Sequence, residues 1–283
     1  MIEDRSDRHV RAADTTLLVL ETVAFAGDEL GVTQIARELG LTKGAIFRHL
    51  QGLVERGYLI QDPTSARYRL GPKAYLIGRR ALPADDVAAV AEGPLRELRD
   101  AFDLTAVLST PAPRGPMVLA ALFGGRPFEL RPGTELTFHA SAQGKVMLAF
   151  GADPILERTL QRHLPAMTPH TITDPAKVRR EVDRIRGQGY AVALEELRLG
   201  FNAVAAPVFN RRSHLVAAIG LVDSIQYVPR EPGSGLIDAV IAVANRISRD
   251  LGLAERVRRG RPPRRMAVAL RDEPAKPWSH DLV

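Results

Sequence analysis

Apolar residues in the first 57 positions recur at helical spacing, in three short bursts. Leu17, Leu20, Val23 and Ala24 mark a helix near Ala13–Ala26. Ile35, Ala36 and Leu39 mark a second, opened by Thr33 as N-cap and stopped at Gly40. Ile46, Leu50, Leu53 and Val54 form the stripe of a third, from Thr42 to Arg56, closed by Gly57. Only Gly40-Leu41 separates the second from the third, which is the connection of a helix-turn-helix. Tyr58-Leu59-Ile60 and Arg67-Tyr68-Arg69-Leu70 then flank the turn formers Asp62-Pro63-Thr64-Ser65. That pattern predicts a hairpin, and a hairpin here makes a wing.

A helical linker is expected after Pro72, continuing beyond Pro83 from Ala84 to Phe102. Past it the pattern alternates between strand and helix periods, so the fold class is α+β. Strands are expected at Thr105–Thr110, Met117–Leu122, Gly189–Leu194, Ala203–Phe209 and Leu215–Val222. Helices are expected at Ala140–Phe150, Asp174–Gln188 and Gly235–Leu251. Gly124-Gly125 reads as a hairpin turn between Met117–Phe123 and Phe128–Arg131. There is no internal repeat.

Composition narrows the class. An apolar fraction of 45% and a charged fraction of 25% over 283 residues describe a globular chain with room for a small and a medium domain. No run of apolar residues is long enough to span a membrane, and the opening residues mix both charge signs, unlike a secretory signal. With no cysteine, thiolate metal sites and cysteine nucleophiles are excluded, and a cytoplasmic location is expected. The net charge of +6 is unevenly spread: residues 37–80 hold nine Lys or Arg against three acids. Six further arginines fall between Arg256 and Arg265, beside Pro262 and Pro263, and read as a disordered basic tail.

The basic window coincides with the third helix. With Ile46 at the centre of the buried stripe and about 100° per residue, Gly44, Arg48, Gln51 and Glu55 fall on the exposed face. Lys43 lies at the N-terminal end that enters a major groove. Arg48 can present two donors to guanine, Gln51 can pair with adenine, and Gly44 permits close approach. Thr33, Lys43, Gly44, Phe47, Arg48, Gln51, Arg67 and Arg69 are therefore the candidate contacts to a double-stranded DNA operator, the two wing arginines meeting phosphate or minor groove. A winged helix that serves protein partners would show the same amphipathic pattern, and that alternative stays open on pattern alone.

Enzymatic signatures are weak. Gly144-Lys145 resembles the end of a phosphate loop, but His139 and Val146 break the motif at both ends. Gly233-Ser234-Gly235 lacks the third glycine of a dinucleotide fingerprint. His139, His163 and His170 lack metal-ligand spacing, and Ser141 lacks a nucleophile elbow. Glu195-Glu196 reads as a pair that orients backbone rather than as acid and base. No enzyme activity and no cofactor are expected.

The segments Thr33-Gln34-Ile35-Ala36-Arg37-Glu38-Leu39-Gly40-Leu41, Arg48-His49-Leu50-Gln51-Gly52-Leu53, Gly57-Tyr58-Leu59 and Tyr68-Arg69-Leu70-Gly71 resemble IclR-type (isocitrate lyase regulator) transcription factors. The C-terminal half carries the resemblance further. Phe138-His139-Ala140-Ser141-Ala142-Gln143-Gly144-Lys145 is similar to the family's histidine-alanine-serine segment, and Thr171-Ile172-Thr173-Asp174 to its T-x-T-D. Arg186-Gly187-Gln188-Gly189-Tyr190, Glu195-Glu196, Gly200 and Ala205-Ala206-Pro207-Val208-Phe209 follow in the family's order, so the likeness spans about residues 15–252. One departure is Gly44-Ala45, where the recognition helix usually begins with Ser-Thr.

The resemblance implies a winged helix-turn-helix over 1–80, a helical linker over 81–102 and a GAF-like effector-binding domain over 103–254; the basic disordered tail over 255–283 lies outside the family pattern. It implies a homodimer or homotetramer that answers a small carboxylic or aromatic effector. Family positions that hold a small acid fall here on Ala142 and Gln143, Ala193, Ala203, Gly220 and Val222, with apolar walls at Phe128 and Leu136. Most of those positions carry no polar group in this chain, which points to an effector more apolar than a short keto acid.

Overall fold

The computed structural model describes residues 3–81, 87–126 and 130–252. The chain divides into two compact units, 1–84 and 85–283. The expected wall at Phe128 and the basic tail lie outside the described residues.

The first unit holds α1 (Glu3–Ala24), α2 (Val32–Glu38), α3 (Lys43–Glu55), the strands β1 (Leu59–Gln61) and β2 (Tyr68–Leu70), and α4 (Pro72–Ala81). Its core holds Ile35 and Ala36 from α2 and Ile46, Leu50 and Leu53 from α3, as expected, closed by Leu59 and Tyr68. On α1 it takes Val19 and Val23 with Leu20 partly buried, whereas Leu17, expected on the stripe, is 55% exposed. The start of α2 differs from expectation. Gly31 is the N-cap, its N–H donating to the Gln34 side chain at 3.0 Å, so Thr33 is an exposed residue inside the helix. Thr42 does cap α3, its hydroxyl accepting from the Ala45 N–H at 3.3 Å. The strands β1 and β2 pair antiparallel, Ile60 opposite Arg69, and β2 also bridges to Leu30. In the wing turn the Asp62 carboxylate accepts from the N–H groups of Ser65 and Thr64 and from the Ser65 hydroxyl. Led by the Ser65 N–H, these bonds hold it below the usual carboxylate range.

The second unit runs α5 (Val87–Phe102), β3 (Thr105–Pro111), β4 (Pro116–Leu122), α6 (Ala142–Phe150), α7 (Asp153–Leu160), α8 (Pro175–Gln188), β5 (Ala191–Leu194), β6 (Phe201–Phe209), β7 (Leu215–Ser224) and α9 (Ser234–Asp250). The five strands form one antiparallel sheet in the order β4-β3-β7-β6-β5. One face packs Leu108, Val204, Ala206, Ile219 and Leu221 against α5 and α9. The other packs Ala191, Ala193, Ala205 and Ala218 against α6 and α8. From Val87 onward the expected linker is thus a core helix of this unit, because Ala91, Leu95 and Leu98 supply a buried stripe.

Two expectations need correction. Leu130 and Arg131 form no strand. The chain returns to β4 a few residues later, where Leu136 N–H donates to the Pro116 carbonyl at 2.7 Å and Met117 bridges to Glu135. The glycines at 124 and 125 serve packing instead of a turn: a Cβ on Gly124 would sit 2.3 Å from the Asp103 carbonyl oxygen, and Gly125 N–H donates to the Asp103 carboxylate at 2.6 Å. The short α7 was not anticipated.

Candidate DNA interface and effector site

Lys43, Gly44, Phe47, Arg48, Gln51 and Glu55 all lie exposed on α3, opposite the buried stripe. Phe47 is 44% exposed, an apolar ring offered to solvent beside two hydrogen-bonding side chains. A Cβ added to Gly44 meets nothing within 4 Å, so the helix surface is open there for another backbone. Thr33 is exposed on α2.

The wing arginines are exposed but already engaged. Arg67 Nη1 donates to the Glu29 carbonyl at 3.0 Å, and Arg69 pairs with the Glu29 carboxylate at 3.4 Å. Both tie the wing to the segment before α2. An anchor that sequence reading missed is His49: Nδ1 lies 2.8 Å from the Thr16 hydroxyl, which itself donates to the Ala12 carbonyl at 2.9 Å. The ring nitrogen must therefore be the donor, and it pins α3 to α1.

The candidate effector residues fall on the α6 side of the sheet. Register places Val222 between Thr105 and Ala203, and Ala203 opposite Ala193, so one row crosses β3, β7, β6 and β5. Ala142, Ala193 and Ala203 pack in one apolar cluster, Leu136 and Val222 in its neighbour with Val107, Val118 and Leu130. Ala203 and Val222 remain half-buried although both sit on inner strands, so helices do not seal the sheet at this row. Gln143 is buried on α6, and no partner among the described residues engages its amide. Gly220 does not widen the site. A Cβ there would lie 2.3 Å from the Val204 carbonyl oxygen, so the backbone of β6 occupies the space a side chain would need.

Two further groups on this face escaped the sequence reading. Thr105 and Ser109 are fully buried, and neither hydroxyl has a partner among the described residues. The alternation Thr105-x-Val107-x-Ser109 was the available signal, since it turns all three toward one face.

Lys145 is a buried structural cation. Only 3% exposed, it donates to the Val192 carbonyl at 3.1 Å, pairs with Glu181 at 3.5 Å and makes its shortest contact with Glu196. Burial pushes the Glu196 carboxyl up despite Lys145. Burial also acts upward on Glu181, but Arg184 and Lys145 outweigh it and hold that carboxyl below its usual range. Glu195 accepts from the Gly200 N–H at 3.1 Å and Glu196 from the Leu194 N–H at 3.4 Å, so both orient backbone.

Together a winged helix-turn-helix and a helix-covered antiparallel sheet with an unsealed apolar row define a regulator with separate DNA-reading and sensing units. The model of the bacterial transcriptional regulator IclR C-terminal domain matches residues 79–249, and that of the IclR helix-turn-helix domain matches residues 12–63. The chain belongs to the IclR family and is a DNA-binding, effector-responsive transcriptional regulator. The glycerol operon regulatory protein of Streptomyces griseus is 30% identical over 252 residues, covering 87% of this chain and 98% of the relative. The solved IclR regulator of Alicyclobacillus acidocaldarius is 28% identical with a TM-score of 0.67, covering 86% of this chain and 98% of that one. An IclR homologue from Microbacterium hydrocarbonoxydans, solved with 4-hydroxybenzoate, has a TM-score of 0.70 at 22% identity, covering 85% and 98%; it speaks for the fold.

Proposed function

We propose that α3 reads operator bases as the recognition helix of a homodimer or homotetramer, and that the effector is an apolar or aromatic compound held along the row from Ala193 to Val222. The observation that carries the first part is the exposed set Lys43, Gly44, Phe47, Arg48 and Gln51 on one face of a helix capped by Thr42. On this reading DNA binding belongs to residues 1–80 and effector binding to 103–254, with the tail after 254 adding non-specific affinity. The chain works in the cytoplasm and catalyses no reaction on its effector.

Arg48→Ala is expected to weaken operator binding by about 1–3 kcal/mol and to relax preference at one base position. Arg67→Ala should weaken all DNA about equally, because its loss frees the wing from Glu29 and removes roughly one phosphate contact. Footprinting of both variants on the gene's own upstream region separates the two; unchanged base preference in Arg48→Ala would mean that α3 docks differently.

An oligomer is supported by apolar side chains that the first unit leaves exposed: Leu17 and Leu18 on α1, and Tyr75, Leu76 and Ile77 on α4. One short recognition helix also needs a second half-site about one helical turn away. Light scattering at micromolar concentration should give at least a dimer, and a monomer that still binds specific DNA tightly would contradict it.

The apolar character of the effector rests on Ala193, Ala203 and Val222, which offer a carboxylate no donor. Burying a carboxylate without donors costs several kcal/mol, more than a two-carbon body recovers at about 25 cal/mol per Å². One polar end of such a ligand would be met by the Gln143 amide, while the rest of its body lies along the apolar row.

A further inference from the structure

A second concave site lies on the same unit, away from the row just described. It is a cleft of about 480 Å³ between the β3–β4 turn, the segment leading into α6, and α7 with the loop that follows it. That volume falls within the range of about 300–1,000 Å³ usual for small-molecule sites. None of the residues assigned above to effector binding lines it.

Its lining combines apolar and cationic groups. Pro111, Phe138, Ile155 and Leu164 form the apolar part, while Arg114, Arg158, Arg162 and His163 bring basic side chains to the same space. Among the described residues no carboxylate lines the cleft. Arg114 is paired with Glu135 at 2.8 Å, but among the described residues no acid pairs with Arg158 or Arg162. Arg158 lies in the last turn of α7 and Arg162 in the turn just beyond its C-cap Gln161, and both line the cleft. Arg158 Nε donates to the Pro154 carbonyl at 3.0 Å, which leaves its charge and that of Arg162 without an ion pair among the described residues. Such guanidiniums over an apolar floor fit a ligand with one anionic end and an apolar body. The floor adds a polar group of its own, since the buried Thr137 hydroxyl has no partner among the described residues.

The floor is also joined to the effector face. The Ser141 hydroxyl donates to the Thr137 carbonyl at 2.6 Å and accepts from the Gly144 N–H at 3.0 Å, capping α6. A Cβ on Gly144 would lie 2.4 Å from the carbonyl oxygens of both Thr137 and Phe138, so the first turn of α6 rests directly on the floor backbone. Across the cleft the His139 Nε2–H donates to the Pro165 carbonyl at 2.9 Å. A ligand that shifts residues 137–139 must therefore shift the helix that carries Ala142 and Gln143.

We propose that this cleft binds a small organic anion with an apolar body, as a second effector site coupled to the first through α6. Calorimetry on the full-length protein with phenyl phosphate tests it, with inorganic phosphate as the charge-only probe. Phenyl phosphate should bind, inorganic phosphate should bind at least about tenfold more weakly, and Arg158→Glu/Arg162→Glu should reduce phenyl phosphate affinity by about tenfold or more. Circular dichroism of that variant should match the parent, since both side chains are exposed. Ala203→Phe, which fills the sheet-face row, should retain phenyl phosphate binding. The proposal is overturned if the folded parent gives no binding, if the double variant binds within about twofold of it, if inorganic phosphate binds as tightly as phenyl phosphate, or if Ala203→Phe abolishes binding.

Discussion

Lys145→Met is expected to destabilise the second unit by about 3–5 kcal/mol, the usual effect of removing one member of a buried ion pair. The methionine fills most of the space, so the loss is electrostatic. Glu196, buried and already pushed up by its surroundings, would lose the cation that favours its charged form, and its carboxyl would rise further. The sign with pH follows. A carboxyl whose folded pKa is raised contributes stability at pH values below its unfolded pKa and loses it as pH climbs through the folded one. The variant should accordingly suffer more at pH 8 than at pH 5, because the loss grows as pH rises through the raised carboxyl. Glu181 works the other way, being held low by Arg184 and Lys145, so its contribution fades as pH falls. Urea denaturation of parent and variant at both pH values reads the difference, and a second variant, Lys145→Met/Glu196→Gln, should recover much of the loss at pH 8. A pH-independent loss, with no recovery in the double variant, would show that packing and not charge is what Lys145 supplies.

Ala203→Phe should remove the response to aromatic effectors while leaving operator binding in place. Ala203 sits half-buried between Ala193 and Val222 in the unsealed row, so a ring there occupies the volume a ligand ring would take. An aromatic body burying on the order of 150 Å² gains about 4 kcal/mol, and losing that weakens binding several hundredfold. Calorimetry of the full-length parent and variant against phenol, 4-hydroxybenzoate, glyoxylate and pyruvate checks it. Tight glyoxylate or pyruvate binding by the parent, with no response to either aromatic, would show that the apolar row is not what the effector meets.

The elements legible in the sequence were those whose signal is local. The α3 stripe of Ile46, Leu50 and Leu53 and the Gly57 stop belong to one helix, and the turn at Asp62 carries its own acceptor. Helix α7 escaped because two turns behind Pro154 give too few residues for a period to stand out. The glycines at 124 and 125 misled for another reason. Their use is set by Asp103, more than twenty residues away, and no local pattern announces it. Lys145 shows the same limit: beside Gly144 it resembles a phosphate loop, and only folding brings it to Glu181 and Glu196. The family likeness offered Ala193, Ala203 and Val222 as candidate positions, but the paired strands were needed to join them with Thr105 in one row.

The alanines of that row have a consequence for how such a regulator diversifies. A single nucleotide change takes an alanine codon to serine, threonine or valine. Ala203 is half-buried at the unsealed row, so a larger side chain there extends into the proposed ligand space instead of into the packed core. Gly220, one row further in, is closed to the same changes by the backbone of β6. If the effector lies along this row as proposed, inheritance can rewrite what the protein senses at one position while the neighbouring row keeps the sheet intact, and a new chemical signal is one mutation away from an old operator.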